Sequence, residues 1–180
     1  MALFAFRSSL LAFCYLCSNG LMALEYLHPM LVHFPIALTL AGTAILAWGT
    51  LRRHGGAVRS AIVVFCLSGA LSIPTYITGQ VARSVLEDAG AFERDSALVD
   101  RHEDLGLYSM ALLVSLGLLA GLSFRKGAVI PERPWFLLAL AIAASAFIVL
   151  TAWQGGRLVF DQGVGVRMAA PSAASSMPAP

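Results

Sequence analysis

Apolar residues along the chain gather into four long runs, Leu27 to Leu51, Ala61 to Val81, Leu105 to Phe124 and Trp135 to Trp153, and the charged residues fall between them. Each run is near or above the ~20 residues that an α-helix needs to cross the hydrocarbon of a bilayer, and none has a charged residue in its interior. Backbone groups that face lipid must find partners within their own segment, so the runs predict four membrane-spanning helices. The expected fold is an all-α membrane four-helix bundle. Composition points the same way: 58% of the 180 residues are hydrophobic and 12% charged, against ~25% charged in an ordinary soluble domain. A soluble globular enzyme is thereby excluded.

Charge sets the expected orientation. The first connection, Arg52 to Arg59, and the third, Arg125 to Pro134, are basic apart from Glu132, whereas the second connection and the flanking ends hold nine of the ten acids. The positive-inside rule places the basic connections in the cytoplasm and both ends of the bundle on the outer, periplasmic side of a bacterial inner membrane. Twelve Lys and Arg against ten Asp and Glu, with the basic residues scattered, leave no footprint for nucleic acid. The lipid bilayer is the one partner that composition requires.

The segments outside the bundle read differently. Arg7, the short apolar run Leu10 to Leu16, and Ser18-Asn19-Gly20 have the layout of a secretory signal, expected over residues 1–23; an uncleaved fifth helix is the alternative. The transmembrane domain is expected over 24–166, and the Ala-, Ser- and Pro-rich stretch 167–180 as a disordered tail. Cys14 and Cys17 form Cys-x-x-Cys, but Ser18 follows where covalent haem attachment needs His. With Cys66 alone in an apolar helix, all three cysteines read as packing. The acidic second connection, with Glu87-Asp88 and Glu93 to Asp100, carries Val85, Leu86, Ala89 and Phe92 at helical spacing, which predicts a short helix on the membrane surface. Asp100 and Glu103 have the spacing of a capping box at the start of the third span. Gly117-Leu-Leu-Ala-Gly121 is a small-xxx-small match that predicts close helix packing.

Chemistry is sought among side chains held at one depth. His28 and His33 stand at the outer start of the first span and His102 at the outer start of the third, whereas His54 lies in the first connection. Pro35 removes one intrahelical bond and loosens the helix beside His33. At ~100° per residue His28 and His33 point about 140° apart, so a pair of ligands is expected to cross the bundle rather than come from one helix. The first and third helices of an up-down bundle are diagonal, and a histidine from each can approach one iron from opposite faces of a porphyrin. The expected ligand pair is His33 with His102, with His28 in support; Gly42, Gly69, Ser72 and Gly106 offer room for a macrocycle, and Arg83 and Arg157 stand where propionates would emerge. This predicts a non-catalytic electron-transfer protein with one b-type haem near the outer face. One alternative is a copper or zinc site made by His28, His33, Met30 and His102 in a transport or trafficking protein. The other is a cofactor-free accessory subunit whose histidines only shape helix ends.

The run His28-Pro-Met-Leu-Val-His33-Phe-Pro-Ile-Ala-Leu38 resembles the His-Pro-x-x-Val-His-Phe-Pro-Ile opening of a bacterial family of four-helix predicted membrane proteins that is named as a domain of unknown function. Gly155-Gly-Arg-Leu-Val-Phe-Asp-Gln-Gly-Val-Gly165-Val resembles the ending of that family, and the likeness covers about Leu27 to Val166. It implies a redox role, because some relatives are fused to Rieske iron-sulfur domains, and hence a periplasmic cytochrome or Rieske-type partner. Gln162 stands where the family pattern often has His, so any site that uses that imidazole is lost or altered here.

Overall fold

The structure is a computed structural model, and it describes residues 26–88, 96–125 and 134–164. The expected signal segment, the expected tail over 167–180 and most of the third connection lie outside the described residues. Among those described there are helices and turns but no strands. The helices are α1 (Leu27–Leu31), α2 (His33–Leu51), α3 (Gly55–Asp88), α4 (Ser96–Arg125) and α5 (Pro134–Phe160). Four spans long and apolar enough to cross a membrane result, the first made of α1 and α2 together.

The break between α1 and α2 falls at Val32, three residues before Pro35, whose ring nitrogen cannot bond the carbonyl of Leu31. Val32 keeps helical dihedrals, so the first span loosens there without turning away. At its far end the chain reverses through Arg52 and Arg53, the latter in the left-handed region at φ 51°. His54 then starts α3 by accepting the Ala57 N–H on Nδ1 at 3.1 Å, which satisfies one of the donors that every helix N-terminus leaves open. At 1.5 Å per residue the 34 residues of α3 run roughly 50 Å, well beyond the hydrocarbon.

That length changes two expectations. Val85 belongs to the continuous α3, which runs to Asp88, in place of a separate surface helix; residues 89–95 are outside the description. α4 begins at Ser96, so Asp100 is already inside the helix and the capping box is not formed. Asp100 and Glu103 instead bind Arg83 of α3.

The spans pack in ring order, each against its neighbours in sequence and the fourth against the first, which leaves the first and third on a diagonal. The centre holds Leu46, Phe65, Leu113, Leu116, Ala120 and Ala141. A Cβ on Gly69 would stand 2.8 Å from the Leu113 carbonyl oxygen, and one on Gly117 would stand 2.9 Å from that of Phe65. These glycines let α3 and α4 approach backbone to backbone, the packing role of the small-xxx-small match. Buried hydroxyls add hydrogen bonds between helices: Thr39 to Ser68 at 2.8 Å, Thr43 to Ser145 at 2.9 Å and Ser109 to Thr151 at 2.8 Å. Each contributes ~0.6 kcal/mol in a membrane bundle. Outside, Trp48, Leu118, Phe136, Ile142 and Trp153 are exposed, as lipid-facing side chains must be.

The two halves of the bundle repeat one burial pattern. Pro35, Thr39, Gly42 and Leu46, the buried stripe of the first span, recur 74 residues later as Ser109, Leu113, Leu116 and Ala120. Ala61, Ile62, Phe65, Ser68 and Ser72 of the second span recur 76 residues later as Leu137, Leu138, Ala141, Ala144 and Ile148. Spans one and two therefore correspond to spans three and four, and the first and third run in the same direction.

Candidate functional site

The same shifts bring the chemistry together. His28 lies seven residues before Pro35 and His102 seven before Ser109, so each continues the buried stripe of its span by two turns. Their rings meet across the diagonal with centroids 6.4 Å apart and planes at 81°. His28 Nδ1 is 2.9 Å from the Thr75 carbonyl oxygen, and His102 Nδ1 is 3.1 Å from that of Thr151. A carbonyl only accepts, so Nδ1 carries the proton in both rings, and in the neutral imidazole Nε2 keeps its lone pair.

Each ring also has a glycine at its back. A Cβ on Gly79 or on Gly155 would stand 2.9 Å from Cε1 of His28 or His102, respectively. Thr75 and Gly79, like Thr151 and Gly155, are four residues apart, so one helix face presents both the carbonyl and the bare patch. The two threonine hydroxyls donate to the carbonyls four residues back, Leu71 and Phe147, at 2.8 and 2.9 Å. Two half-sites of the same build thus hold two imidazoles in one tautomer. Sequence reasoning did not single out Thr75, Gly79 and Thr151; the signal was the Thr-x-x-x-Gly spacing repeated 76 residues apart.

The pair expected from sequence, His33 with His102, is not the pair that the fold brings together. His33 is exposed at the start of α2, about 140° around the helix from His28. Met30 is exposed as well, at 61%, so the copper or zinc set of His28, His33, Met30 and His102 is not assembled. Among the described residues no group of three or more His, Cys, Asp or Glu is placed to hold a metal ion. Of the small residues expected to leave room for a macrocycle, Gly42 is filled by the Phe65 ring and Gly69 by the α4 backbone, while Gly106 has Tyr76 as its nearest neighbour, at 3.9 Å.

Arg83 and Arg157 have carboxylate partners. Arg83 is bound by Asp100 at 2.8 Å and by Glu103, with Glu87 at 3.9 Å, and ties α3 to α4 beside the His102 turn. Arg157 pairs with Asp161 at 3.0 Å and lies 5.7 Å from the Trp153 ring centre. Gln154, between Thr151 and Gly155 in sequence, keeps a buried Oε1 without a hydrogen-bond partner. Gln162, at the position that departs from the family pattern, lies in the turn that ends α5.

No curated protein and no solved structure matches the chain. Four apolar spans and the long stretch they occupy agree with a match over residues 25–168 to the family described as "Predicted membrane protein (DUF2231)", and the chain belongs to that family.

Proposed function

We propose that this protein is a membrane electron-transfer protein that carries one b-type haem between His28 and His102. The observation that carries the reading is the imidazole pair itself: two rings from diagonal spans, each with Nδ1–H on a main-chain carbonyl and each left with Nε2 as its donor. A carbonyl on the far nitrogen is the common support for a metal-binding histidine, because it fixes the ring and raises its basicity. The two rings meet edge to face with centres 6.4 Å apart, and a pair of neutral imidazoles is a donor type that haem iron takes. The fit lies in the donor atoms, two Nε2 lone pairs, while Gly42 and Gly69 are already filled by protein; the group when bound would supply a one-electron iron couple.

The chain's own contribution is positional. Thr75 and Thr151 orient the rings, Gly79 and Gly155 let them sit flush on α3 and α5, and the surrounding helices leave both rings half-buried. Arg83 and Arg157 stand at the same end of the bundle and would serve propionates by exchange with the carboxylates they hold. The charge pattern supports an outward site in a bacterial inner membrane. No imidazole lies in the opposite half of any span, which supports one haem per chain and electron exchange on the outer side, with a periplasmic cytochrome or Rieske-type carrier.

The test is the visible spectrum of the detergent-purified protein, with haem measured against protein. A low-spin spectrum with at most one haem per chain, lost in His28→Ala and in His102→Ala, is expected. A colourless protein from haem-replete cells would refute the haem, and a bound metal without a Soret band would show that the pair holds a bare ion instead.

A further inference from the structure

The end of the bundle opposite the histidine pair carries an open surface groove. A groove of about 640 Å³ opens between α2 and α3, lined by Ala44, Ile45, Trp48, His54, Ala57 and Ser60. Its walls are apolar along the span, with Ser60, whose hydroxyl donates to the Gly56 carbonyl at 3.2 Å, at the depth of Ile45 to Trp48 and His54 at the mouth. The His54 ring packs on Trp48 with centroids 5.3 Å apart. Because His54 Nδ1 accepts the Ala57 N–H, the proton of the neutral ring is on Nε2, so the ring offers a donor whether or not it is charged.

Among the described residues the charge around this mouth is positive. Arg52, Arg53 and Arg59 are exposed around it, and no Asp or Glu stands between Tyr26 and Leu86. We propose that this groove binds an anionic phospholipid, one acyl chain along Ala44, Ile45 and Trp48 and the phosphate at His54 and the arginines. Basic pockets between helices at a membrane surface select anionic headgroups by charge and hydrogen bonding, and Trp anchors at the same level.

The molecule contains its own comparison. A groove of similar size, about 630 Å³, lies between α4 and α5 and is lined by Leu105, Tyr108, Leu112 and Phe147. It opens near the end where exposed Arg101 and Asp104 put one charge of each sign, Asp100 and Glu103 being held by Arg83 of α3. Both grooves can take an acyl chain; only the first has a rim that prefers a negative headgroup.

The full chain is reconstituted in phosphatidylcholine vesicles containing a fixed minor fraction of brominated phosphatidylglycerol or of brominated phosphatidylcholine, and Trp48 is read alone in Trp135→Phe/Trp153→Phe. Brominated phosphatidylglycerol should quench Trp48 at least twofold more strongly than brominated phosphatidylcholine. Arg52→Gln/Arg53→Gln/Arg59→Gln, which alters only exposed side chains, should abolish the preference. A Tyr108→Trp reporter, with all three native tryptophans replaced by Phe, should show none. Equal quenching of Trp48 by the two lipids, an undiminished preference in the triple Gln variant, or the same preference at the Tyr108→Trp reporter would overturn the proposal.

Discussion

The contact between Gly155 and His102 can be tested against its own neighbour. Gly155→Ala puts a methyl group 2.9 Å from His102 Cε1, a separation that real Cβ atoms essentially never show, and the ring must retreat by about half an ångström to reach ordinary contact. It is not free to do so, because Nδ1–H is held 3.1 Å from the Thr151 oxygen. Overpacking of this kind costs ~1–3 kcal/mol, and a strained or broken bond to Thr151 adds about 1 kcal/mol. Alanine in place of glycine returns up to ~1 kcal/mol through helix propensity. Gly156→Ala receives the same return with nothing within 4 Å of its methyl, so the difference between the two variants isolates the ring contact. Reversible unfolding in mixed detergent micelles should find Gly155→Ala less stable than Gly156→Ala by roughly 2–4 kcal/mol. If a metal centre is present, only Gly155→Ala should shift its absorbance. Equal stabilities and equal spectra for the two variants would refute the packing of His102 on α5.

Other consequences follow from the same arrangement. His33→Ala, at an exposed position, should leave both stability within ~0.5 kcal/mol and the spectrum unchanged; loss of the chromophore would restore His33 as a ligand. In a cysteine-free background, a cysteine placed between Glu87 and Asp100 should react with an impermeant thiol reagent in intact cells and one at Gly56 should not, and the reverse pattern would invert the orientation. Arg83→Gln removes a partly exposed three-carboxylate hub, so it should cost about 1 kcal/mol in low salt and less in high salt; a salt-independent loss would mean that Arg83 acts through packing.

What the sequence conveys depends on how local each cause is. The four spans are legible because hydrocarbon imposes a continuous requirement on some twenty successive residues, and no neighbour is needed to read it. Helix ends outside the hydrocarbon lack that constraint. Polar residues there suit water as well as a helix, so the reach of α3 to Asp88 and of α4 back to Ser96 is not marked by hydropathy. Asp100-x-x-Glu103 shows the ambiguity: a three-residue spacing serves a cap at a helix start, and equally puts two carboxylates on one face inside a helix. Arg83, 17 residues from Asp100 in the chain, decides for the second.

The histidines follow the same logic at finer scale. Depth favours His33, which lies further into the span, but the direction of a side chain around the helix decides what it can meet. His28 continues the stripe of Pro35, Thr39, Gly42 and Leu46, whereas His33, two residues before Pro35, is ~200° away from it. That stripe is recognisable only once it is set beside Ser109, Leu113, Leu116 and Ala120, because single spans in lipid are apolar all round and show no dominant face. The repeat also explains why the pair forms between spans one and three. When two like halves pack about a common centre, corresponding residues on the inner faces meet each other across it, and any ligand between them receives the same donor from both sides. A single histidine per half is then enough to make a two-donor site, and a change to one half-site, at Gly79 or at Gly155, should weaken it to the same degree.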